Sequence, residues 1–193
     1  MSAKDKLDKI YKQYESLIII CESAKRNVKY GNSSQLDIIV FKKEKKIRDK
    51  NIFIDDYFDS LKIKITELYT LDIIATFEQI LFDIIDNTSG EIKSIVKNEY
   101  NRRYQKKDKP IRLYKSAASF IKNKEDIHNL SGAKKILENV IKDKLLFEDL
   151  KKIIEHRNWL SHGKRFDIGK ESTFKINEIH NKLIKMLEII KEE

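Results

Sequence analysis

The sequence predicts an all-α fold, a single-domain helical bundle of about six to seven helices. The chain has 193 residues, a length that suits one domain with its own core. Hydrophobic residues make up 40% of it and charged residues 37%, a balance typical of globular rather than disordered chains. Only five glycines and one proline interrupt the sequence, so long helices are expected.

The first helix is predicted over residues 3–30, and its apolar face is marked by side chains that recur at three- and four-residue steps. These are Leu7, Ile10, Tyr14, Leu17, Cys21, Ala24 and Val28. The segment "YGNSSQ" then breaks the pattern. Residues 36–54 fit either a short strand or a helix, and we favour a helix. Residues 1–54 are thus expected to extend a helical core at about 57–190.

The strongest helical pattern covers residues 57–86. Its predicted inward stripe consists of Leu61, Ile65, Leu68, Leu71, Ile74, Leu81 and Ile85. The segment "DNTSGE" is expected to end this helix, because Thr88 followed by Glu91 has the form of a capping box that begins another one. Pro110 should stop or redirect that next helix.

The last helices are predicted over residues 111–122, 132–146, a segment from about 150 to 162, and 173–191. Gly163 is expected to end the third of these as a C-cap glycine. The apolar residues predicted to face inward in the final helix are Phe174, Ile176, Ile179, Leu183, Leu187 and Ile190.

The formal net charge of +9 would attract polyanions, and RNA is the partner we consider first. A lysine-rich chain can equally reflect an AT-rich genome. Residues 97–115 contain eight basic and two acidic side chains with three tyrosines between them, including Arg102 and Arg103. Basic groups for phosphates and aromatic rings for unpaired bases suit single-stranded RNA. The alternative is a solvated helix end whose tyrosines are buried.

Compartment and cofactor use follow from simple counts. A single cysteine, Cys21, can form neither an internal disulfide nor a thiolate metal cluster. No apolar run approaches the roughly 18 residues that a membrane span needs. We therefore expect a cytoplasmic protein with no cofactor, no metal and no membrane partner.

The stretch "IIEHRNWLSHGKRF", residues 153–166, concentrates chemically useful side chains. His162 can take a proton from a ribose 2′-OH or give one to a leaving oxygen near neutral pH. Arg157 can bind phosphate oxygens with two hydrogen bonds and stabilise the charge that develops on phosphorus. Asn158 lies four residues before His162 and hence on the same helix face. His156 is expected to support this pair.

The segment "RNWLSHG", residues 157–163, resembles the Arg-Asn-x-x-x-His signature of HEPN domains, helical bundles that include metal-independent ribonucleases of toxin–antitoxin and phage-defence systems. The resemblance implies a homodimer with a composite cleft, in which Arg157, His162 and Asn158 match the catalytic positions. It also implies attack by the RNA 2′-OH, a cyclic phosphate product, and an antitoxin or other regulatory protein as partner. One branch carries a tyrosine two residues after the histidine, where this chain has Lys164.

Glu78 interrupts the apolar stripe of the 57–86 helix, and a carboxylate there needs a partner. We predict that it pairs with Arg157 and orients the guanidinium; the alternative is a glutamate that reaches solvent or pairs with a lysine. Lys164 and Arg165 are predicted to contact RNA. Two other functions stay open: a HEPN bundle that only binds RNA or regulates a partner, and a structural protein with a fortuitous motif.

Overall fold

The computed structural model describes residues 1–31, 49–104, 137–138, 140–164 and 174–192, without the side chains of 88–89, 91–104 and 191–192. Four long helices make up most of these ranges: α1 (Ala3–Lys29), α2 (Lys50–Tyr104), α3 (Lys144–Ser161) and α4 (Ile176–Glu192). No strand occurs in these ranges, so the all-α prediction is confirmed for them. The predicted helix 111–122 and most of the ambiguous segment 36–54 lie outside them.

Helix α1 follows its prediction closely. Ser2 and Asp5 form a capping box, in which the Asp5 amide donates to the Ser2 hydroxyl at 3.1 Å and the Ser2 amide donates to the Asp5 carboxylate at 2.8 Å. Leu7, Cys21 and Val28 of the predicted face are buried. Leu17 is 36% exposed, so the middle of that face is less covered than predicted.

Helix α2 corrects the predicted break at "DNTSGE". The helix runs for 55 residues, from Lys50 through this segment to Tyr104. The predicted helix start near residue 57 and the predicted start of another helix at Thr88 are therefore wrong. A capping box acts only where the chain has already left the helix, whereas each added helical residue gains one hydrogen bond. Gly90 lowers helix stability by about 1 kcal/mol, too little to stop a helix already formed.

The buried face of α2 also differs from the predicted stripe. Leu61 is 36% exposed and Leu68 is 66% exposed, although both were predicted to face inward. The middle of the helix instead buries a wider band, because there it packs against α1, α3 and α4. This band consists of Ile73, Ile74, Phe77, Ile80 and Leu81.

Helix α3 begins at an N-cap that the sequence interpretation missed. Asp143 accepts hydrogen bonds from the amides of Leu145 and Leu146 at 3.0 and 3.2 Å. Residues 141–143 are not helical, so the predicted helix over 132–146 does not extend to residue 146. A separate helix, α3, begins at Lys144 instead. The apolar side chains Leu150, Ile153 and Ile154 then fix the rotation of α3 against the core.

The main core lies where the four helices meet. Leu7 of α1 packs there with the band of α2, with Phe147 and Leu150 of α3, and with the buried face of α4. Most of the predicted inward residues of α4 are buried, together with Met186. A smaller cluster joins the other ends of α1 and α2. None of the described helices is long and apolar enough to cross a membrane.

Candidate functional site

The signature segment, residues 157–163, occupies the C-terminal end of α3 and the turn that follows it. Because Ile153 and Ile154 are anchored in the core, the next helical turn has a fixed rotation. His156 points inward and is buried, whereas Arg157 and Asn158 are half-buried at the edge. The helix ends at Ser161, so His162 lies in the turn.

Arg157 is held by two side chains. Its Nη2 donates to Glu78 Oε2 at 3.4 Å, and its Nη1 donates to Asn158 Oδ1 at 3.1 Å. The predicted pairing of Glu78 with Arg157 is therefore present. The Glu78 side chain is 12% exposed and that of Arg157 is 35% exposed. The guanidinium is thus held by two acceptors while about a third of the Arg157 side chain faces solvent.

His162 is the C-cap of α3 and is exposed. Its amide donates to the Asn158 carbonyl at 3.0 Å. The Gly163 amide donates to the Leu160 carbonyl at 3.1 Å and the Lys164 amide to the Trp159 carbonyl at 2.9 Å, the pattern of a Schellman motif. This motif needs a left-handed residue after the cap, and Gly163 supplies it with φ +66°. Gly163 therefore ends the helix, as predicted.

The turn is tied back to α2 by Lys164. Its ammonium forms an ion pair with Glu67 and lies 5.2 Å from the centre of the Trp159 ring. Lys164 was predicted to contact RNA, but its charge is already engaged by a carboxylate and an aromatic face. Glu67 was not predicted to take part.

Glu67 and Glu78 hold the two ends of the signature segment from one side of α2. They are eleven residues apart, which brings them to within about 20° of each other around the helix axis at about 100° per residue. Glu78 contacts Arg157 at the start of the segment, and Glu67 contacts Lys164, the residue directly after its end. His162 lies in the chain between Arg157 and Lys164, each of which pairs with a glutamate of α2, the helix that runs antiparallel to α3.

His156, which was predicted to support the site, is a buried side chain rather than an exposed acid or base. It is 7% exposed, and its Nδ1 accepts the Phe174 amide at 3.3 Å. Burial lowers the pKa of His156, and nearby Lys164 lowers it further, against the opposing influence of Glu67. The imidazole is therefore neutral at pH 7, with its proton at Nε2.

The rest of the predicted binding surface falls outside the described residues. Arg165 lies there, as do residues 105–115 and the side chains of residues 97–104, including Arg102 and Arg103. His180 has a structural role, since its Nε2 pairs with Asp8 Oδ1 at 2.9 Å and its ring stacks on Tyr11. Within the described ranges, no three side chains of His, Cys, Asp or Glu converge as metal ligands would.

An open groove of about 740 Å³ runs along the other side of the signature segment, between α1, α2 and α3. His156, Trp159 and Lys164 line it, but Arg157 and His162 do not. The signature segment therefore presents two surfaces, one with the candidate catalytic pair and one with the groove. Comparison of the chain with protein-family models, with curated proteins and with solved structures gave no match.

Proposed function

We propose that this chain is a metal-independent endoribonuclease of the HEPN type, in which Arg157 and His162 act on RNA in a homodimer. The observation that carries the proposal is the arrangement around Arg157. Glu78 and Asn158 hold its guanidinium while about a third of its side chain stays exposed. An exposed histidine follows five residues later on a hydrogen-bonded turn.

These groups suit phosphodiester cleavage by the RNA's own 2′-OH. Histidine removes the proton from the 2′-OH or protonates the leaving 5′-oxygen, and arginine stabilises the charge on the phosphoryl oxygens. The new bond joins the 2′-oxygen to phosphorus as the bond to the 5′-oxygen breaks, which leaves a 2′,3′-cyclic phosphate. One His162 cannot act as acid and base in the same step, and a two-fold dimer would supply two.

Such an activity would harm the cell that makes it, so we propose a toxin or phage-defence effector restrained by an antitoxin or other regulatory protein, in the cytoplasm. The test is incubation of the pure protein with total RNA in the presence and absence of EDTA. Cleavage that survives EDTA supports the proposal. RNA binding without cleavage would favour the alternative, a non-catalytic RNA-binding or regulatory subunit.

Glu78→Gln should lower RNA cleavage more than it lowers thermal stability. The substitution keeps the shape of the side chain but removes the charge that orients Arg157, so we expect about a tenfold loss of rate with a small change in Tm. Initial cleavage rates and thermal melts of the same preparation measure both.

Glu188→Gln is the matched control. Glu188 makes a 3.4 Å ion pair with Lys4 between α4 and α1, away from the signature segment. The Glu188→Gln variant should therefore leave the RNA cleavage rate unchanged. Glu78 would be a purely structural residue if Glu78→Gln lowered Tm but the remaining folded protein cleaved RNA at the wild-type rate.

The protein should be a dimer at micromolar concentration, because one His162 cannot act as both acid and base in the same step and a two-fold dimer would supply a second. Sedimentation equilibrium should give twice the 22.9 kDa mass of one chain. A monomer that cleaves RNA at its full rate would show that one chain suffices and would contradict the composite site.

A further inference from the structure

The groove beside the signature segment contains two buried polar groups that donate no hydrogen bond to any other residue that the structure describes. His156 receives the Phe174 amide at Nδ1, so Nε2 carries the proton. The hydrogen bonds among the described residues include none from Nε2, although His156 is 7% exposed and lines the groove. A buried donor without an acceptor is unfavourable, so it points to a ligand or water in the groove.

Thr70 gives the same indication from α2. It is 2% exposed and lines the groove, yet within the described part of the chain no hydrogen bond involves its hydroxyl. Thr66, one turn earlier, shows the contrast. Its hydroxyl donates to the Lys62 carbonyl at 2.9 Å and lies 3.4 Å from the Tyr14 hydroxyl. The groove therefore has one satisfied and one unsatisfied threonine.

The charges at the groove's edges are already paired. Lys62 contacts Glu22 at 2.6 Å and Asp59 at 2.9 Å at one end, and Lys164 pairs with Glu67 at the other. A phosphate would have to break one of these pairs, so the groove does not suit an anion. Its unused groups are neutral, and Trp159, Leu160 and Phe174 add apolar surface.

We propose that this groove binds a nucleobase of the RNA substrate, with His156 Nε2–H and the Thr70 hydroxyl donating to its carbonyl or ring-nitrogen acceptors. A base combines a flat apolar ring with such acceptors, and bases splayed out of single-stranded RNA enter pockets of this kind. The groove adjoins the segment that carries Arg157, so a bound base would position the neighbouring phosphate. This inference rests on the proposed ribonuclease function.

The binding test is independent of cleavage. Trp159 is the chain's only tryptophan and lines the groove, so its fluorescence reports occupancy. Each of the four ribonucleosides is titrated into the non-cleaving His162→Ala variant, with ribose 5-phosphate as the control. At least one nucleoside should change the fluorescence saturably, and ribose 5-phosphate should not. No saturable change with any nucleoside would overturn the proposal.

Thr70→Val distinguishes ligand binding from a structural role. The substitution keeps the shape and removes the unsatisfied hydroxyl, so Tm should stay the same or rise while nucleoside affinity falls about tenfold. Thr76→Val, the same change in the same helix outside the groove, should alter neither. Unchanged nucleoside affinity in Thr70→Val would remove Thr70, and with it the proposed site.

Binding of a single-stranded RNA oligonucleotide shows whether the groove takes a base of the RNA substrate or only a free nucleoside. If Thr70→Val weakens nucleoside binding but leaves the affinity for the oligonucleotide unchanged, the groove serves a free nucleoside and the proposal fails. If nucleosides and oligonucleotide bind and Thr70 matters for both, but the wild type cleaves no RNA, the groove stands and the ribonuclease function fails. If the wild type cleaves RNA but no nucleoside binds, the ribonuclease function stands and the groove proposal fails.

Discussion

His162→Ala should reduce RNA cleavage by about 10²–10⁴-fold, the usual contribution of general acid–base catalysis. The loss should not come from unfolding. His162 contributes to the fold through its amide, which donates to Asn158 at 3.0 Å, and alanine keeps that amide. Its exposed side chain is not part of the core. Initial rates on a labelled RNA and a thermal melt measure the two effects separately.

The neighbouring residue provides the control for His162→Ala. Ser161 is exposed, and its hydroxyl donates to the Asn158 carbonyl at 3.0 Å, so Ser161→Ala perturbs the same turn without removing an acid or base. It should cleave RNA at close to the wild-type rate. His162→Ala should still bind RNA, and cleavage that persisted in this variant would show that another group carries the proton.

Arg157→Ala should lower the cleavage rate by about 10²–10³-fold and should also weaken RNA binding, because in the proposed mechanism the guanidinium contacts phosphate in the bound and transition states. A rate loss with unchanged affinity would restrict Arg157 to the transition state. Full activity of this variant would exclude it from the site.

Removal of Arg157 also leaves the mostly buried Glu78 without this partner, so stability must be controlled. The double variant Arg157→Ala with Glu78→Gln removes the charge that would be left behind. It should recover any stability lost in Arg157→Ala and remain inactive. Arg157→Lys should also be impaired, since an ammonium cannot contact Glu78, Asn158 and a phosphate in the geometry of a guanidinium.

The sequence predicted the helical class and the position of the signature because both depend on local patterns. The three- and four-residue steps from Leu7 to Val28 and the glycine at position 163 determine a helix and its end without distant contacts. The predicted break near Thr88 was wrong because a capping motif alone does not end a helix that already runs into it. Leu61 and Leu68 were misplaced because burial depends on which helices surround each part of α2.

The site was predictable where a residue broke a pattern. Glu78 was identified because a carboxylate on an apolar stripe needs a partner, and Arg157 was the most plausible one. Glu67 breaks no such pattern, because it does not lie on the predicted apolar stripe but directly before Leu68, which is exposed. Its spacing of eleven residues from Glu78 was the available signal. The open groove with Thr70 and His156 requires the packing of three helices, which no single segment encodes.

The most direct test of the central claim uses one short RNA and its analogue with a single 2′-deoxy residue at the cleavage position, both in EDTA. We predict that the wild-type protein cuts the RNA to a 2′,3′-cyclic phosphate and leaves the analogue intact at that position, while His162→Ala cuts neither. If the wild-type protein leaves the RNA intact, the chain is not the proposed enzyme. Cleavage at the deoxy position would show that the 2′-OH is not the nucleophile and would contradict the mechanism.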